Sequence, residues 1–375
     1  MLATAALSFA ASLFPQSPDQ PKPPSVTPFA AFDVPTGHVA TSLDDATAAI
    51  VSMATAHRID ARKQTVEALP EAGNVASVAL GASGAEYALG LRDGRIVHVA
   101  ANGTRCEVRV AARGAVLGLT WTAGSLAWWT AGSKGGVLDL ASARQRIEPP
   151  LDVGVHLQWP SIEFTADGRH VCWRQHRDDN GESEAIVVQN LATGRRVAHL
   201  PIYATMRSGL LVAGNLVVHA VRTDTTVWHL EAFDTTTRTS RRLDANLRGG
   251  HFVDLVASAN GRFLVEGDFE EAGIGRYRLD ADEPNHQLFG EARGFLGCGA
   301  LRQRDAVVDT VLLRPAPDAN ELTALRLDDG SPVTVSLPGI GARRPEKAGT
   351  LLSGRVLWTV LSTNRDRRIE FFTLP

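Results

Sequence analysis

The sequence predicts an all-β fold made of one repeated unit, on three observations. A small or acidic residue followed by Gly recurs ahead of apolar, strand-like runs. Ser83-Gly84 precedes AEYALGL, Ala123-Gly124 precedes SLAWWT, and Asp167-Gly168 precedes RHVCW. Ala213-Gly214, Asn260-Gly261 and Ser353-Gly354 stand in the same way before NLVVHAV, RFLVEG and RVLWTVL. The second observation is the interval. Successive glycines lie 40, 44, 46 and 47 residues apart up to Gly261, and the next gap of 93 holds two units, with Arg304-Asp305 as the turn between them. Third, hairpin dipeptides such as Asp93-Gly94 and Asn102-Gly103 divide each period into short alternating runs, because primed turns need positive φ. A period of roughly 40–50 residues with several strands in each is the signature of a closed ring of four-stranded sheets, a β-propeller.

Each unit reads as a meander of four strands, labelled a to d from the axis outward. The first, 38–70, has its turn at Asp44-Asp45 before TAAIVSM; it also carries Ser42-x-x-Asp45, a helix-start pattern, so periodicity alone does not settle its strands. The second, 73–111, shows the plan best: NVASVALG, AEYALGL, RIVHVA and TRCEVRV. Units at 114–149, 155–201, 206–244 and 250–289 follow, and the seventh, 294–338, contains ELTALRL, Asp329-Gly330 and PVTVSL. The eighth, 347–375, has only three strands, GTLLS, RVLWTVLS and RIEFFTL. Its fourth is expected from Phe29–Val34, which would close the ring and remove its open edges. This gives one propeller of eight four-stranded blades over residues 28–375; seven blades are the alternative if the first unit is irregular.

The runs Gly90-Leu-Arg-Asp93-Gly94, Phe164-Thr-Ala-Asp167-Gly168 and Asn190-Leu-Ala-Thr193-Gly194 resemble those of WD-repeat-like β-propellers, over nearly the whole chain after residue 28. The Trp-Asp pair that closes a standard repeat is absent, as in the degenerate branch of that superfamily. The resemblance implies the fold, and protein or ligand binding as a family tendency; it transfers no catalytic residue.

At 375 residues and 44% hydrophobic content, the chain can bury one large core. A net charge of −3 gives no basic excess for phosphate-backbone binding, which argues against nucleic acid as a partner. Three well-separated cysteines, Cys106, Cys172 and Cys298, form no C-x-x-C pair, so neither a disulfide framework nor a zinc site is expected. Residues 1–27 are set apart. The run from Leu2 to Phe14 is apolar and uncharged, and a Pro-rich stretch follows. A thirteen-residue, mostly apolar run is too short to span a bilayer but suits a signal peptide, although no Lys or Arg precedes it. Export, for example to a periplasm, is favoured over cytoplasmic retention.

Local motifs yield no catalytic constellation. Gly81-Ala-Ser83-Gly84 lacks nucleophile-elbow spacing and reads as an a–b turn; the loop at Ala131–Gly136 lacks the phosphate-loop frame. Arg177–Glu184 has its Gly too early for a calcium loop. His170, Cys172, Arg174 and His176 share one strand face, but the outer two are about 20 Å apart, so no metal is expected there and burial between blades is. The seven tryptophans and His98, His219 and His229 fall in or beside strands as packing residues. No cofactor is implied.

Topology defines the surface of interest instead. In a meander propeller the d–a and b–c loops emerge on one face, with the d–a loops nearest the channel. Arg248, His251, Arg293, Arg343 and Arg344 come from consecutive d–a segments and form a candidate basic arc; Arg forks suit carboxylate or phosphate. The expectation is a monomeric, non-catalytic binding or scaffold propeller taking a protein, peptide or small anionic ligand on that face. The rival is an enzyme with a channel-mouth site for a sugar, lactone or peptide, hinted at by His251, Asp254, Glu270 and Glu271. A structural subunit of a larger assembly is the third reading.

Overall fold

The computed structural model describes residues 26–34, 38–42, 44–111, 114–122, 124–147, 151–153, 162–175, 184–202, 210–222, 227–243, 247–248, 253–258, 261–268, 273–280, 286–291, 294–303, 306–362 and 367–375. They form eight antiparallel sheets in a single propeller. The innermost strands are Ala40–Thr41, Val75–Leu80, Val116–Thr122, Ile162–Phe164, Leu211–Ala213, Val253–Ala257, Phe295–Gln303 and Pro345–Leu351, and each touches the next around the axis from blade 1 to blade 8. The outer strand is broken into two pieces in blades 3 and 5, where Leu151–Asp152 and Leu247–Arg248 continue the edge.

Four of the recurrent turns share one six-residue device. In blades 1, 2, 4 and 6 the first residue (Ser42, Gly81, Thr165, Ser258) donates its N–H to the carbonyl five residues on, at 2.9, 2.8, 3.1 and 2.9 Å. The fourth residue (Asp45, Gly84, Gly168, Gly261) returns its N–H to the first carbonyl and adopts left-handed φ of 55–68°. Left-handed backbone carries no steric cost for Gly, and Asp tolerates it because its short side chain bonds locally. Where the first residue is Ser or Thr, its hydroxyl accepts a further N–H, from Thr47, His170 and Phe263 at 3.0–3.1 Å. The Ser42-x-x-Asp45 pattern is therefore a hairpin turn and not a helix start. Ser42 Oγ is engaged across the hairpin with Thr47 and donates to Asp44 at 2.6 Å.

Eight apolar clusters fill the eight gaps between blades, each drawing on two neighbouring sheets. No blade encloses a core of its own. Two of the wedges are tryptophans seated over glycines on the adjacent strand. A Cβ at Gly118 would fall 1.8 Å from Trp129 Cζ2, and one at Gly349 would fall 2.4 Å from Trp358 Cζ2. Each pair is in direct register. Glycine here is required by close approach, and each covered indole contributes about 1.5–3 kcal/mol of burial. Trp128 and Trp173 are also buried, whereas Trp159 and the side chain of Trp228 lie outside the described residues.

The N-terminal strand completes blade 8. Ala30–Val34 runs antiparallel to Arg367–Thr373, with Ala30 opposite Phe371 and Val34 opposite Arg367. Blade 8 joins blade 1 through Leu352 N to Asp45 O at 2.7 Å, Ser353 N to Asp45 Oδ2 at 2.9 Å, and Ser52 Oγ to Asp33 O at 2.6 Å. The ring is closed by the chain's own first strand.

Candidate functional site

The d–a and b–c turns leave one face of the ring, and the sequence placed five residues there. Arg343 ends a single helical turn, Ile340–Arg343, in the connection between blades 7 and 8. Its guanidinium pairs with Glu370, donates to Val26 O at 3.1 Å, and lies 5.2 Å above the Phe372 ring. Arg343 therefore holds the N-terminal segment against the closing blade. Arg344 follows it at φ 51°, exposed, with no side-chain partner among the described residues. Arg248 stands on the outer edge of blade 5, opposite Val227, before the chain turns inward. The side chain of Arg248, and all of His251 and Arg293, lie outside the described residues. So do Glu270, Glu271, His176 and the Arg177–Gly181 loop; Asp254 is described in its backbone alone, opposite Gly267.

Arg92, on the b–c turn of blade 2, is exposed on the same face and is held by its N–H to Asn74 O at 2.9 Å. Beside it, Asp93 accepts from Arg95, which also meets Glu107, so the rim alternates in charge. Bonding from Arg95 holds the Asp93 carboxyl below its usual range.

Two groups on the inner wall have displaced acidities. Glu163, at the centre of the inner strand of blade 4, is pushed up to about 7 by burial, against a bond from Phe164 N. His38 opens blade 1 beside Lys347 of blade 8; enclosure by the surrounding ring lowers its pKa, and the Lys347 charge lowers it further. The imidazole is nonetheless reached by solvent. Blades 4 and 8 stand across the ring from each other, so Glu163 and His38 do not form one acid–base pair. Among the described residues no group of three His, Cys, Asp or Glu side chains could hold a metal ion. The three cysteines are free; burial pushes Cys298 up to about 12 and raises Cys172 as well, so neither is a thiolate at neutral pH.

Of the histidines read as packing residues, His219 and His229 are buried, and they bring a carboxylate with them. His229 Nε2 lies 2.9 Å and His219 Nε2 3.8 Å from the two oxygens of Glu231, all on the blade 5 face that meets blade 4. On the facing strand, His170, Cys172 and Arg174 are buried together. Period-2 spacing of His229 and Glu231 was the available signal; the partner strand carrying His219 was not visible without register. His98 likewise meets Glu86 at 2.8 Å and packs on Trp121 at 5.4 Å.

No protein-family model and no curated protein matches the sequence. Solved structures match it along its length. The Dos1 propeller covers 92% of this chain and 95% of its own, with TM-score 0.56 and 11% identity. A computationally designed protein, Ika8, gives TM-score 0.55 at 10% identity over 93% and 99% of the two chains. A chain of the mitotic checkpoint complex gives 0.51 at 14% over 99% of each. The chain is an eight-bladed β-propeller. At these identities the likeness is one of fold alone, and a fold does not by itself fix a function. No helix among the described residues is long and apolar enough to cross a membrane.

Proposed function

We propose that the protein is a non-catalytic binding propeller that takes a protein, peptide or small anionic partner on its d–a/b–c face. The observation that carries this reading is the pairing of roles at Arg343 and Arg344. The first is fixed in the wall by Glu370, and the second, next along the backbone, projects an exposed guanidinium at the rim with no partner among the described residues. A fork held on a rigid support loses little freedom when it meets a carboxylate or phosphate. Arg248 and Arg293 extend the proposed arc through blades 5 and 6. The test begins with affinity purification of the tagged chain from its source extract, identifying co-eluting proteins and metabolites by mass spectrometry. The triple variant R248E/R293E/R344E, with Arg343 kept, should weaken the captured partner at least tenfold. Unchanged affinity would move the site off this face.

A second reading is catalysis in the channel on a sugar, lactone or peptide, favoured by the raised pKa of Glu163 on the inner strand of blade 4. A retained metabolite whose turnover is abolished by Glu163→Gln would establish it in place of the first.

A further inference from the structure

The opposite face, formed by the a–b and c–d turns, carries a second cationic surface at blades 4 and 5. The six-residue turn of blade 4 sets Arg169 immediately before strand b. Its carbonyl accepts Leu191 N at 2.9 Å, and Asn190 N in turn donates to Arg195 O at 2.9 Å. Arg196 follows in strand d, opposite Gln189. Arg169, Arg195 and Arg196 thus stand at the same end of three adjacent strands, within about 10 Å by strand spacing. Arg238 joins them from the c–d turn of blade 5, where its N–H bonds Asp234 O at 2.8 Å. The charges of both Arg238 and Arg169 reach the buried ring of His170 and add to the effect of burial in lowering its pKa.

All four arginines are exposed, and none of the guanidinium groups has a hydrogen bond or ion pair among the described residues. The nearby carboxylates are engaged by their own turns. Asp167 Oδ1 accepts Thr165 Oγ1 at 2.6 Å and Arg169 N at 3.0 Å, and Asp234 Oδ1 accepts Thr236 N at 2.7 Å and Thr237 N at 3.3 Å. Arg238 also occupies left-handed backbone, φ 61°, at the position where the blade 4 turn has Gly194. A charge is kept there against the conformational preference of the chain.

We infer that the a–b/c–d face at blades 4 and 5 is a docking surface for an acidic protein segment, engaged by Arg169, Arg195, Arg196 and Arg238. Arginine forks pair bidentately with carboxylates. The exposed large hydrophobic residues among those described are Met53, Val66 and Val307, in blades 1 and 7. The patch therefore offers no aromatic platform of the kind single-stranded nucleic acid stacks on, and no apolar residue to enter a bilayer. The chain's overall charge of −3 also repels a long polyanion, while a short acidic stretch matches a local cluster. This surface lies on the face opposite Arg344, so its fate is independent of the reading above.

The test uses the full-length protein and a fluorescein-labelled Asp-Glu dodecapeptide, followed by anisotropy. Saturable binding is expected at 50 mM NaCl, weakening severalfold at 200 mM as screening requires. R195E/R196E should lose at least tenfold in affinity. R238G should lose about threefold or more while keeping or raising the melting temperature, since Gly suits its φ; that variant separates loss of charge from loss of fold. R62E/K63E, at the corresponding turn of blade 1, should bind as wild type. No saturable binding, equal loss in the blade 1 control, or tighter binding of oligo-dT or phosphatidylserine vesicles than of the peptide would each overturn the assignment.

Discussion

Arg343 and Glu370 face each other across the seam where the chain closes on itself. The Glu370 carboxylate is 3% exposed and receives both Arg343 and, at 3.1 Å, the Nε of Arg368. Glu370 lies opposite Ala31 of the closing strand, and Arg343 reaches on to the Val26 carbonyl. One buried carboxylate therefore couples the final blade, the helical turn before it and the start of the propeller. Removing one partner of a buried pair leaves the other charge uncompensated. Glu370→Ala should cost about 3 kcal/mol in chemical denaturation. Glu370→Gln, which keeps the shape, should lose less, and equal stability of the two variants would show that charge does not hold the seam.

The Gly118–Trp129 contact predicts an intolerance to a single methyl. Gly118→Ala has no room without moving an indole that is 6% exposed, and overpacking of this kind costs about 1–3 kcal/mol. Thermal melting of Gly118→Ala and Gly349→Ala should show the larger loss for Gly118, whose Cβ falls closer to the ring. Trp129→Leu combined with Gly118→Ala should recover part of it.

Thr165 supports the blade 4 turn through one hydroxyl, which accepts His170 N and donates to Asp167 Oδ1. It is buried, so Thr165→Val leaves groups without partners and should cost roughly 1–3 kcal/mol. Thr165→Ser should be close to neutral. Parity of the Val variant with wild type would mean that the backbone bonds alone define the turn.

Glu163 gives a pH dependence with a definite sign. Its folded pKa, about 7, lies above the ordinary value of 4.5, so between those values the folded state holds a proton that the unfolded chain has lost. Stability from this group is full below pH 4.5, falls as pH rises toward 7, and is flat above. Glu163→Gln removes the dependence. The variant should match wild type near pH 4.5 and exceed it by roughly 1–3 kcal/mol at pH 8. A wild-type advantage at pH 8 would reverse the assignment.

The ring was legible in the sequence because its turns need a conformation that few residues accept. Gly84, Gly168 and Gly261 mark the period for that reason, and the three-stranded last unit pointed to Phe29–Val34 as its missing edge. Ser42 was ambiguous because a hydroxyl followed by carboxylates serves a hairpin turn and a helix start with the same local chemistry. The site was less legible. Arg343 looked like its neighbours until Glu370, 27 residues away, was brought against it. The raised pKa of Glu163 likewise depends on which blade faces which, and the His219–Glu231–His229 array on the register of two strands of blade 5; spacing along one strand carries neither. Arg169 and Arg238 belong to different blades, and their shared reach to His170 appears only once the sheets are stacked.

The closing strand also sets an order in time. Ala30 must pair with Phe371, so the closing strand waits until about 340 further residues have left the ribosome. At about 5–20 residues per second, Ala30–Val34 stays without its partner for roughly 20–70 s while the seven intervening blades are made. During synthesis the protein is an open arc with a bare edge at each end, able to pair with a second nascent copy as readily as with itself. Whatever shields Ala30–Val34 in that interval decides whether the product is one ring or two chains exchanged.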